Sequence, residues 1–183
     1  MKDKAKLVML LLIGSESFFF IALIVAYVYY RNFSHATDTV ARNLDAVKTG
    51  IFTLILIASS FTLMFSKNAL FKQRLKSFKI GMIVTILLGA VFMIGQIDEY
   101  IGLYDKQITM KQDVFGSSFF TLTGFHGLHV ILGIIMLTIL FGMSFGKYKS
   151  VTLAGINGVD LYWHFVDVVW VFVFFFVYIT PLL

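Results

Sequence analysis

Apolar residues run along this chain in long unbroken stretches, and the polar ones gather between them. Five stretches stand out: Leu7–Tyr30, Thr49–Ser66, Ile80–Ile101, Val114–Phe145 and Val159–Leu183. A helix that crosses a bilayer needs about 17–25 mostly apolar residues, so each stretch predicts a transmembrane helix. The second is the shortest and carries Thr53, Ser59, Ser60 and Thr62. Hydroxyls can bond back to carbonyls of their own helix, so these four do not forbid insertion. The fourth is longer than a bilayer core and is expected to tilt or to project beyond it. The segments between the stretches are short and show no repeat or low-complexity linker. The prediction is therefore an all-α membrane protein, a bundle of five transmembrane helices forming one domain over residues 1–183. The single proline, Pro181, falls at the end of the last stretch and breaks no helix interior. Gly14, Gly81, Gly89, Gly95, Gly124, Gly127 and Gly133 lie within the stretches and read as sites of close helix approach.

Composition supports a lipid solvent. Hydrophobic residues make up 59% and charged residues 14% of the chain, against about 45–50% and 25% in soluble domains. A soluble fold of this size has no place to hide 21 phenylalanines. The apolar run after Lys6 is too long for the core of a signal peptide, and no small-residue cleavage site follows it. It is expected to stay as a first helix. With no cysteine, disulfides, thiolate metal sites and a cysteine nucleophile are excluded.

The net charge of +5 points to orientation rather than to nucleic acid, because the cations flank apolar spans. If the N-terminus is inside, the inner segments hold Lys2, Lys4, Lys6, Lys67, Lys72, Arg74, Lys76, Lys79, Lys147 and Lys149. The outer ones hold Arg31, Arg42, Lys48, Lys106 and Lys111. Positive charge marks the cytoplasmic side, so the expected topology has a cytoplasmic N-terminus and a periplasmic C-terminus.

An ionisable group inside a span costs about 2.5–3.5 kcal/mol on insertion scales and calls for a reason. Glu16 lies nine residues beyond Leu7, about 14 Å along the helix axis and near mid-bilayer. It reads either as a proton-linked or lipid-facing acid or as a neutral acid that joins helices. His126 and His129, three apart, share one side of a helix. They are suited to metal or haem, or to hydrogen bonds with an acid on a neighbouring helix. Trp163, His164, Asp167 and Trp170 form a polar stripe on the last helix, with Asp160 four residues before His164. Gln96 is deep enough to need a partner, whereas Asp98, Glu99 and Tyr100 are ordinary for a membrane interface. Glu16 has no water at its depth. It is expected to meet His129, or else His126, and Asp167 is expected to find a partner on another helix or in its own stripe.

Four of these segments, in this order, resemble subunit III of the haem–copper terminal oxidases. They are Ser15-Glu16-Ser17-Phe18-Phe19-Phe20, then Gln96-Ile97-Asp98-Glu99-Tyr100. Next come Gly116-Ser117-Ser118-Phe119 with Thr123-Gly124-Phe125-His126-Gly127-Leu128-His129-Val130, and last Trp163-His164-Phe165-Val166-Asp167-Val168-Val169-Trp170. The third and fourth are long and specific. Longer members of the family have seven helices, of which these five are similar to the third to seventh. The other two form one arm of a lipid-filled cleft, and extra helices of subunit I stand in for them in some five-helix relatives.

The resemblance implies a non-catalytic, non-redox subunit of a proton-pumping oxidase of the cytochrome c oxidase type, in the bacterial cytoplasmic (inner) membrane. It implies support of proton uptake and of the stability of subunit I, with Glu16 as the family's reactive membrane carboxyl. It implies direct contact with subunit I, association with subunit II and further small subunits, and bound phospholipid. The haems and copper belong to partner subunits. The residue inventory agrees: three histidines in spans, two on one helix, are too few for two haems and a copper, and a dinuclear copper site needs cysteines. His126, His129, His164, Asp167, Gln96 and Glu99 are expected to form an interhelical polar network that binds no metal. Three rivals stand beside this reading. One is subunit III of a quinol oxidase. Another is a membrane cytochrome clamping haem between His126 or His129 and His164. The third is a small transporter using Glu16 and Asp167 as a proton relay.

Overall fold

The computed structural model describes residues 2–33, 44–108, 114–145 and 153–182. The regular structure is helical: α1 (Lys2–Phe33), α2 (Ala46–Phe71), α3 (Leu75–Asp105), α4 (Val114–Met143) and α5 (Leu153–Phe174). All five are long and apolar enough to cross a membrane. The helices outrun most of the apolar stretches. α2 has 26 residues and continues through Lys67-Asn68-Ala69, because polar residues at the membrane edge end hydrophobicity without ending helicity. α5 departs from a plain helix at its end. A widened π turn at Phe175–Ile179 and a 3-10 turn at Thr180–Leu182 follow it. Pro181 is the physical reason: its ring collides with the carbonyl four residues back, which a regular α-turn would place against it.

Two helix ends share one device. Gln73 and Gln107 adopt left-handed backbone, with φ of 56° and 62°. After α2, the amides of Arg74 and Gln73 bond the carbonyls of Ala69 and Leu70, each at 2.9 Å. After α3, Ile108 and Gln107 repeat this on Leu103 and Tyr104, at 3.0 and 2.9 Å. This pair of hydrogen bonds is the Schellman ending, where glycine is the usual residue because a Cβ is strained there. Gln107→Gly is therefore expected to raise stability by about 1 kcal/mol, read as a higher midpoint of thermal unfolding in detergent. An unchanged or lower midpoint would count against strain at this position.

α5 is the hub. It packs against α1, α2 and α4, and half of its span is buried, whereas almost none of α1's is. α1 lies on the outer faces of α4 and α5, and α2 pairs most closely with α3. Trp163 of α5 is fully buried and fits only because two neighbours lack side chains. A Cβ on Gly89 of α3 would sit 2.9 Å from Trp163 Cη2, and one on Gly133 of α4 would sit 2.7 Å from Cε3. Gly14 does not serve close packing within this chain: a Cβ there meets nothing within 4 Å, because its side of α1 is left uncovered.

Candidate functional site

The polar side chains of α2 and α5 pair along an antiparallel seam. Lys67 Nζ meets Asp160 Oδ2 at 2.7 Å. Ser60 bonds both Asp167 and, at 2.9 Å, Nδ1 of His164. Trp163 Nε1 donates to Ser59 Oγ and Trp170 Nε1 to Thr53 Oγ1, each at 2.9 Å. From Lys67–Asp160 to Thr53–Trp170 residue numbers fall along α2 as they rise along α5, as an antiparallel register requires. The hydroxyls do two jobs. Thr53 donates its hydrogen to Thr49 O and Ser59 to Leu56 O, at 2.8 and 2.6 Å. Each then offers a lone pair to an indole that has only a hydrogen to give. The back-bonding expected of α2 is made by Thr53, Ser59 and Thr62 but, among the described residues, not by Ser60, and at Thr53 and Ser59 it orients the oxygens toward α5.

Glu99 closes the seam at its far end. One carboxylate oxygen accepts from Thr49 Oγ1 at 2.9 Å, the other from Tyr178 OH at 2.6 Å. It thus joins α3 to α2 and to the π turn, and it is more than an ordinary interface acid. Beside it, Lys48 pairs with Asp98. Gln96 donates to the carbonyl of Thr123 at 2.7 Å, and Tyr100 OH meets Thr123 Oγ1 at the same distance, which ties α3 to α4.

A separate site links α1 to α4. His129 Nε2 lies 3.2 Å from Glu16 Oε2, and its Nδ1 lies 2.7 Å from the carbonyl of Phe125. A carbonyl only accepts, so Nδ1 carries a hydrogen. The Glu16–His129 contact then holds a single proton, either on a neutral acid facing a neutral ring or on an imidazolium facing a carboxylate. Phe20 covers the imidazole edge-on at 5.0 Å. The Glu16 side chain remains one-third exposed, on the least covered helix of the bundle.

His126 is not brought into either network. It is fully buried, and neither ring nitrogen has a hydrogen-bond partner among the described residues. It stacks on Trp170 at 4.6 Å, with Phe92 and Phe20 edge-on at 6.1 and 6.4 Å. The reason is helical phase. Three residues fall about 60° short of a full turn, enough to aim His129 at α1 while His126 enters an aromatic box. Sequence reasoning also passed over Ser59, Ser60, Thr49, Lys67 and Tyr178 as partners. The run of hydroxyls along α2, with Thr49, Ser59 and Ser60 in it, was the available signal for three of them. Among the described residues, no three His, Asp or Glu side chains converge in a way that could hold a metal.

The chain was compared with known proteins. A family model described as cytochrome c oxidase subunit III matches residues 1–181. A protein of Thermostichus vulcanus named cytochrome c oxidase subunit 3 is 34% identical over 173 residues, covering 93% of this chain and 85% of that protein. The protein of that name from Synechocystis sp. is 33% identical, over 92% of this chain and 72% of its own. The human one is also 33% identical, over 93% and 67%. On the full-length family match and on relatives that share a third of its residues, this chain belongs to the cytochrome c oxidase subunit III family.

Proposed function

We propose that this chain is the non-redox supporting subunit of a proton-pumping, oxygen-reducing terminal oxidase in a bacterial cytoplasmic membrane. It packs directly on catalytic subunit I, together with subunit II and phospholipid, and sustains proton uptake and the lifetime of the catalytic centre. The observation that carries this reading is the Glu16–His129 pair. It places a proton-sharing acid near mid-bilayer on the helix least covered by its own chain, where a partner or lipid can reach it. Electron transfer is assigned to partner chains.

The test is Glu16→Ala in complexes that retain the subunit, with oxygen consumption followed over many turnovers and normalised to haem. A several-fold faster decay of activity is expected, with assembly intact. One intramembrane hydrogen bond averages only about 0.6 kcal/mol, too little to dismantle five helices. Identical rates and lifetimes in mutant and wild type would reduce Glu16 to a helix joint.

The proposed topology places the N-terminus and the Lys67–Asp160 end of the seam on the cytoplasmic side. A periplasm-dependent reporter fused after Leu183 is expected to be active there, and activity of a cytoplasm-dependent reporter at that position would reverse the assignment.

A further inference from the structure

We propose that Ser60 is a proton bridge and that Asp167 is a buried proton-holding site filled through it from the Lys67–Asp160–His164 end of the seam. The argument is a count of hydrogens. Ser60 Oγ touches Nδ1 of His164 at 2.9 Å and Oδ2 of Asp167, and a hydroxyl has one hydrogen. Thr53 and Ser59 spend theirs on backbone carbonyls, whereas Ser60 makes no such bond among the described residues. Its hydrogen therefore goes to one of its two partners, and the other partner donates to it.

Two arrangements satisfy that count with a hydrogen on Nε2 of His164. A third, one proton poorer, satisfies it with a neutral ring donating from Nδ1 to Ser60 and Ser60 donating to an Asp167 carboxylate, so that acidification loads the proton at Nε2. In the first, Ser60 donates to an Asp167 carboxylate and accepts from Nδ1–H of a His164 imidazolium. In the second, Ser60 donates to Nδ1 of a neutral imidazole and accepts from a protonated Asp167. Both contain the same hydrogens and keep one on Nε2 of His164, which lies 3.6 Å from Asp160 Oδ1. They interconvert by two short moves. The Nδ1–H bond breaks as a new Oγ–H bond forms, and the original Oγ–H bond breaks as Asp167 Oδ2–H forms. The positive charge on the ring and the negative charge on Asp167 vanish together. No electron moves and no co-reactant is needed.

The placement suits loading from one side. His164 is 42% exposed along its side chain, Lys67 25%, and Asp160 10%. Asp167 is 7% exposed as a residue, and its second oxygen, Oδ1, has no hydrogen-bond partner among the described residues. Counting from Gly155, where the span starts, Asp167 lies about 18 Å along the helix and His164 about 14 Å. The charged and titratable groups that face the pair are Asp160 and His164 on α5 and Lys67 on α2. Among the described residues none on α1, α3 or α4 acts on Asp167, where His164 is the charged neighbour.

This goes beyond the supporting role, because its readout is protonation and not turnover. It stands or falls whatever Glu16→Ala does. The experiment is infrared difference spectroscopy of the whole oxidase complex across pH, reading the carbonyl stretch of a buried carboxylic acid. Asp167→Asn assigns the band. The band is expected to appear on acidification in wild type and to be lost in Asp167→Asn. Its exchange in heavy water is expected to slow about 10²-fold in Ser60→Ala, the lower end for a positioned proton-transfer group, and to recover in Ser60→Thr. A spectrum without a pH-dependent band that Asp167→Asn removes overturns the proposal. So does exchange in Ser60→Ala as fast as in wild type. If Ser60→Ala does not assemble, the wild-type titration against Asp167→Asn still decides whether Asp167 holds a proton.

Discussion

Gly133→Val is expected to destabilise the bundle by about 3 kcal/mol, the upper end for overpacking. A Cβ at this position would lie 2.7 Å from Trp163 Cε3 and 2.8 Å from Cζ3, well inside contact distance. The ring has little freedom to retreat. Trp163 is fully buried, its Nε1 is bonded to Ser59, and Gly89 of α3 closes on the neighbouring edge of the same ring. Relief requires α4 to move away from α5, which strips contacts from both. Gly14→Ala is the internal control. That position has open space, and alanine favours helix over glycine by about 0.8–1.0 kcal/mol, so stability is expected to hold or rise. Thermal unfolding of the two variants in the same detergent makes the comparison. Equal midpoints would show that the Trp163 clamp does not control packing.

Lys67→Met is expected to cost about 2–3 kcal/mol, and Lys67→Met with Asp160→Asn much less. Removing one member of a buried pair costs about 3–5 kcal/mol because the other charge stays buried and unmatched. Here Lys67 is partly exposed at the end of the seam, which lowers the figure. Asp160 is left with His164, 3.6 Å from its other oxygen, beyond hydrogen-bond reach. The amide of Asn removes the charge that made the loss expensive. A double-mutant cycle read by thermal unfolding is the measurement. A double variant that loses as much as the sum of the singles would deny coupling between Lys67 and Asp160.

Much of this architecture is legible in the sequence. The five helices follow from apolar runs too long for anything but a membrane, and Glu16, Asp167 and the histidines announce themselves because charge is costly there. Which groups meet is harder to read. Depth narrows the partner of Glu16 to His129 or His126, since few polar groups share it. The α2 hydroxyls do not, because a serine that bonds its own carbonyl looks satisfied until the helix opposite is known. Tyr178 is hidden for another reason. Its reach to Glu99 depends on a π turn that no periodicity reveals. His126 shows the converse: a residue that reads as half of a pair is turned by helical phase into an aromatic box.

The α2–α5 seam also sets a clock on how the protein is made. The partners of Lys67, Ser60 and Thr53 lie 93 to 117 residues further along the chain. At ribosomal speeds of about 5–20 residues per second, α2 leaves the ribosome roughly 5–25 s before α5 can answer it. During that interval α3 offers α2 partners for Thr49, Thr62 and Ser66, in Glu99, Thr85 and the Phe78 carbonyl, but among the described residues nothing for Lys67. The α2–α3 hairpin is therefore made before α5 can cover Lys67 and Ser60, and a nascent chain halted before residue 160 leaves both without their α5 partners.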